Sequence, residues 1–158
     1  MPFNFLAVIV AAFVTLLMGF IWYHPKVFGT IWMNETGMTE EKAKQGNMAK
    51  VFGLTIVYSF MLALMLPQLV IHQTGVLEAT GGNANDPAYI EFMKVHGDSF
   101  RYFKHGALHG LMTGIFFALP ITAINALFEQ KSWKYILINA GYWMVTLTIM
   151  GGIICAWK

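Results

Sequence analysis

Residues 4–22, 51–71, 108–128 and 135–157 form four apolar runs that contain no Asp, Glu, Lys or Arg. Each has the length of about 20 residues that a helix needs to cross roughly 30 Å of hydrocarbon. Backbone polar groups in lipid must be satisfied within their own segment, so runs of this kind are helices. The expected fold is therefore an all-α membrane protein, with four transmembrane helices in a compact bundle. The absence of charge at depth also argues against ion and proton pathways, which usually carry an ionisable group there.

The chain has 158 residues, 57% of them hydrophobic and 11% charged, against about a quarter charged in soluble domains. Little chain remains outside four spans, so residues 1–158 read as a single membrane domain. A formal charge of +2, spread through the loops, gives no basis for nucleic-acid binding. The expected partners are the lipid bilayer and either a second copy or another membrane protein. The single cysteine, Cys155, sits near the end of an apolar run, where a small buried hydrophobe competes with a reactive or metal-bound thiol. The first run is too long for a cleavable signal. It has no basic n-region, and bulky Trp22-Tyr23-His24-Pro25 follows where small residues should precede a cleavage site.

Aromatic anchors mark the ends of the runs: Trp22, Tyr23 and Trp32 at one side, with Trp133, and Trp157 at the other. Short interfacial helices are expected in loops one and two. Thr39-Glu40-Glu41 reads as a helix start, as does Asn85-Asp86-Pro87, with Gly97 as a C-terminal cap. Asp98 and Ser99 are candidate caps for span three. Pro67 should kink or end span two. Residues 129–134 are too short for anything but an antiparallel hairpin between spans three and four. Loops one and three carry Lys26, Lys42, Lys44, Lys50, Lys131 and Lys134, and the opposite side carries Lys94, Arg101, Lys104 and Lys158. The excess assigns loops one and three to the cytoplasm and both termini to the outside.

Span three carries Gly106, Gly110, Gly114, Ala118, Thr122 and Ala126 at intervals of four. Such a face permits close approach of another helix, from this chain or from a second copy. Asn125 and Asn139 are equidistant from the middle of the hairpin connection. They should share a depth roughly 10 Å from the midplane, where an amide pair would satisfy both side chains. The hydroxyls of Thr15, Ser59, Thr146 and Thr148 can bond back to their own helices.

The histidines are the candidate chemistry. His105 and His109 are four apart and share a helix face, as paired imidazole ligands do. His72, at the end of span two, and His96, in loop two, belong to the same side. Asp86, Glu91 or Asp98 are possible oxygen ligands. Position at the hydrocarbon edge, with His109 about 14 Å from the middle of span three, argues against a proton wire. The alternative is an ordinary interfacial histidine bonded to a neighbour or to water.

Gly19-Phe20-Ile21-Trp22-Tyr23-His24-Pro25, followed by Phe28-Gly29 and Trp32, resembles the first-span signature of a bacterial membrane family catalogued as domain of unknown function 1761. The stretches His105-Gly106, His109-Gly110, Leu119-Pro120 and Ala123-Ile124-Asn125 are similar to it as well, as are Asn139-Ala140-Gly141-Tyr142 and Gly151-Gly152. The resemblance implies a four-helix membrane protein and carries no activity with it.

The leading expectation is a non-enzymatic inner-membrane protein acting as an oligomer or accessory subunit, with no cofactor predicted. Second comes a binding or transport module that holds a small ligand or a transition metal near loop two, through His72, His105 and His109. An enzyme ranks third, because no nucleophile, base and orienting acid are visibly grouped.

Overall fold

The computed structural model describes residues 3–158. Its four long apolar helices are long enough to cross a membrane. Span one is α1, Phe5–Trp22, opened by Asn4, whose side chain accepts from the Leu6 N–H at 2.9 Å. Loop one follows as a π-helical turn over Pro25–Gly29, α2 over Thr30–Thr36 and α3 over Glu40–Gln45. Gly37 closes α2 with φ +66°, a left-handed conformation that costs glycine nothing. Thr39 caps α3 through the Lys42 N–H, and Asn47 caps span two through the Lys50 N–H.

Span two is α4, Met48–Val70. Pro67 does not stop it at once. The Ile71 N–H still reaches the Pro67 carbonyl, and the chain breaks at Ile71, where it turns extended. Loop two then forms α5, His72–Ala79, and α6, Pro87–His96, the latter capped by Asp86 with proline in the first turn. Span three is α7, Phe103–Thr113, then a wide π-helical turn over Gly114–Ala118, then α8, Leu119–Phe128. In the wide turn the Leu119 N–H reaches back five residues to Gly114. Pro120 follows directly. It lacks an N–H and its ring crowds the carbonyl four residues earlier, and the widened turn accommodates both defects. Span four is α9, Trp133–Ala156, capped by Ser132.

Span three begins at Phe103, one and a half turns before its charge-free run. Neither Asp98 nor Ser99 caps it: the cap position is Tyr102, with no side-chain bond. Length of hydrocarbon does not set where a helix starts, and α7 projects beyond the apolar depth carrying Lys104 and His105.

Span four is the centre of the bundle. Span one packs between it and span two, and α7 lies against it. Val8, Ala11, Ala63, Leu66, Met150 and Ile154 form the shared core. Span three buries only Gly106, Gly110, Gly114 and Ala126, all from its small-residue face. That face lies against span four of the same chain. A Cβ on Gly106 would meet the Gly151 carbonyl oxygen at 2.2 Å, one on Gly110 the Leu147 oxygen at 2.1 Å, and one on Gly114 the Met144 Cα at 2.6 Å. Lipid supplies no hydrophobic drive between helices, so this backbone-to-backbone dispersion contact is what holds the hairpin together.

The expected amide pair is not formed among the described residues. Asn139 accepts instead from the Tyr23 hydroxyl at 3.0 Å and donates to the Tyr135 carbonyl, while Asn125 lies exposed. Equal depth did not imply a shared direction, because the glycine face sets the rotation of span three. Trp22 likewise donates to the Ile138 carbonyl at 3.0 Å, and Trp32 packs edge-on to Tyr23. These three aromatics tie span one and loop one to span four, whereas Trp133 and Trp157 remain open to the surroundings. Burial raises the Tyr23 phenol well above its usual range, which keeps it a neutral donor. The Thr15, Ser59 and Thr148 hydroxyls bond to carbonyls of their own helices, and two contacts also run between helices. Thr15 meets Ser59, and Tyr142 donates to the Thr15 carbonyl at 2.8 Å.

Candidate metal centre

The extended residue Ile71 turns the chain off span two and leaves His72 as the first residue of α5. On α7 the glycines at 106 and 110 face span four. His105 and His109 precede each by one residue, about 100° around the helix, and point toward the end of span two. The imidazoles of His72, His105 and His109 converge there. Their nearest ring nitrogens all lie within 4.8 Å of one another. The Nε2 atoms of His72 and His105 are 3.0 Å apart, and the three ring centroids are separated by 4.5–5.4 Å.

Two nitrogens bound at about 2.05 Å to a tetrahedral ion stand roughly 3.3 Å apart. The His72–His105 pair, at 3.0 Å, is close to that spacing, and the nearest His109 nitrogen lies within 4.8 Å of both. Three such ligands leave a fourth position open, as catalytic and exchangeable sites do. Without a metal, the same pair forms an N–H···N hydrogen bond whose direction depends on the tautomer. His72 is exposed, and His105 and His109 are half-buried, so the site lies open at the surface of the bundle.

A wall of neighbouring residues fixes this corner. The Phe100 ring packs on His72 and on His105, with centroids 5.6 and 5.1 Å away. Phe100 has φ +63°, a left-handed backbone that an aromatic residue rarely adopts. Its carbonyl accepts from the Tyr102 N–H at 3.0 Å and from the Cys155 thiol at 3.3 Å. Next to it, Arg101 donates to the carbonyls of Cys155 at 2.8 Å and Trp157 at 3.2 Å, at the open C-terminal end of span four. A guanidinium fork suits carbonyls left without helical partners. Burial lowers its pKa, and the group stays protonated. Below, the buried Gln73 amide donates to the His96 carbonyl at 2.7 Å and the Ser99 carbonyl at 3.0 Å, which pins the end of α6 and the turn after it to α5.

The other sequence candidates lie elsewhere. His96 contributes its carbonyl to Gln73, and its ring packs on Phe92. Asp86 caps α6, Glu91 pairs with Lys94, and Asp98 pairs with Lys158 at 2.8 Å. Cys155 is buried behind Phe100. Among the described residues, His72, His105 and His109 form the group with metal-ligand spacing. Gln73, Phe100 and Arg101 were not singled out from sequence. Arg101 alone carried a signal, as the single arginine in a chain of lysines.

A family model described as a protein of unknown function, DUF1761, matches residues 6–155. The chain belongs to this family. The match takes in all four spans and the histidine corner, and the family's description names no activity. No curated protein and no solved structure matches the chain.

Proposed function

We propose that this protein is a membrane-embedded binding module for a first-row transition metal, held by His72, His105 and His109. The observation that carries the reading is the convergence of three imidazoles from two helix ends that are distant in sequence. Neutral imidazole favours zinc, copper or nickel over magnesium or calcium. The site lies at the hydrocarbon edge on the loop-two side, which suits capture from solution rather than passage through the midplane. The basic-residue excess assigns that side to the outer face of a bacterial inner membrane.

The small-residue face packs against span four of the same chain and so gives no argument for a second copy; the oligomer or accessory-subunit reading rests on the uncharged interior and the aromatic interface segments. The test is elemental analysis of protein purified in detergent after growth with zinc. About one ion per chain is expected for three histidines and one open position. A His105→Ala, His109→Ala double variant should fall to background while still folding, with an apparent Tm like that of metal-stripped wild type, and acidification should release the metal as protons compete for the ring nitrogens. Wild-type metal content at background would sink the proposal.

A further inference from the structure

Residue 100 is the junction of the two helices that carry the histidines. Just before it, the Ser99 carbonyl accepts from the amide of Gln73, the neighbour of His72 on α5. Just after it, Arg101 is bound to the Cys155 and Trp157 carbonyls at the end of span four. Tyr102 then takes the cap position of α7, three residues ahead of His105.

The chain makes this turn through Phe100 at φ +63°. A Cβ disfavours that conformation, and glycine would adopt it without strain. Burial does not account for the phenylalanine, which is 54% exposed. Its ring instead rests on the histidines. It stands edge-on to the His72 imidazole, with centroids 5.6 Å apart and planes at 81°. It lies 5.1 Å from the His105 imidazole, with planes at 35°. One side chain therefore leans on imidazoles from both helices. Strained backbone persists where its surroundings over-determine it. Here the Tyr102 N–H and the Cys155 thiol both donate to the Phe100 carbonyl.

Imidazoles at a surface turn among several rotamers, and a metal that binds them must first order them, which weakens its affinity. A ring already packed against two of the three ligands removes part of that ordering. We infer that Phe100 is a positioning residue of the metal centre: its ring holds His72 and His105 in the ligating arrangement, and the strained backbone at residue 100 is kept for that ring. This rests on the metal-binding reading above.

The experiment separates ring from backbone. It uses the full chain in a non-ionic detergent, with cobalt(II) as the probe because its visible bands report the number and kind of ligands. Phe100→Gly removes the ring and the strain, Phe100→Ala removes the ring and keeps the strain, and Phe100→Tyr keeps both. Without metal, Phe100→Gly should have a higher apparent Tm than Phe100→Ala. Both should nevertheless bind cobalt about tenfold more weakly than wild type, the low end for side chains that orient metal ligands, with weakened bands as His72 drops out of the ligand set. Phe100→Tyr should retain wild-type affinity and bands. Wild-type affinity and bands in Phe100→Gly would overturn the role of the ring and leave the metal site standing. So would affinities that follow stability, with Phe100→Ala far weaker than Phe100→Gly, or a Phe100→Gly chain that does not fold, since the residue would then serve the fold. Wild-type protein that binds no cobalt overturns both this inference and the metal-binding reading.

Discussion

Adding one methyl group at Gly110 should separate spans three and four. An alanine Cβ there would sit 2.1 Å from the Leu147 carbonyl oxygen, 2.7 Å from its carbonyl carbon and 3.0 Å from the Thr148 Cα. These are backbone atoms of a helix, so no side-chain rotation relieves the overlap. Reaching even a tight contact of 3.4 Å against that oxygen requires the helices to part by about 1.3 Å. The displacement also loosens Gly106 and Gly114, whose contacts with span four are equally short. Overpacking typically costs 1–3 kcal/mol, and a rigid backbone obstacle places Gly110→Ala at the upper end, about 3 kcal/mol. On the scale of soluble chains of this size, that lowers apparent Tm by roughly 6–12 °C. Gly53→Ala is the control. Gly53 lies inside span two, and an alanine methyl there would have nothing within 4 Å of it. The same substitution at that position should be neutral or stabilising by about 0.5–1 kcal/mol, because alanine is the better helix former. Thermal unfolding of both variants in one detergent provides the assay. An apparent Tm for Gly110→Ala equal to or above that of Gly53→Ala would refute the close-packing argument.

Arg101→Ala should lower apparent Tm, because hydrogen bonds from a charged donor contribute about 1.5–3 kcal/mol and the Cys155 and Trp157 carbonyls lose theirs. By releasing Phe100 from the histidine corner it should also weaken metal binding, measured by competition with a chelator. The Lys158 hydrogen bond, and then its charge, hold the Asp98 carboxyl below its ordinary value of 3.8. That contribution is therefore complete above the ordinary value and lost as pH falls through the lowered one. The stability difference between wild type and Asp98→Asn should be small near neutral pH and vanish in acid, as followed by unfolding across pH. In a Cys155→Ala background, a cysteine at exposed Asn83 should be labelled from outside the cell, and protection there with labelling in loop one would reverse the assigned orientation.

Four charge-free runs of spanning length were enough to determine the fold class, because hydrocarbon admits few solutions for an unpaired backbone. Local signals also carried the caps at Thr39 and Asp86, since a cap is satisfied within three residues of itself. The four-residue spacing of Gly106, Gly110 and Gly114 announced a packing face. The identity of its partner, span four, came only from the bundle. Periodicity fixes how residues share a face of one helix and says nothing about how that helix is rotated against another. For that reason Asn125 and Asn139 matched in depth and still failed to meet. The pairing of His105 with His109 was likewise local. The arrival of His72, and the support from Gln73, Phe100 and Arg101, depended on how some thirty residues of loop two fold back onto the ends of spans two and four. Nothing in a glutamine or a phenylalanine marks such a role in advance, because it arises from carbonyls and ring faces that only the assembled tertiary structure brings within reach.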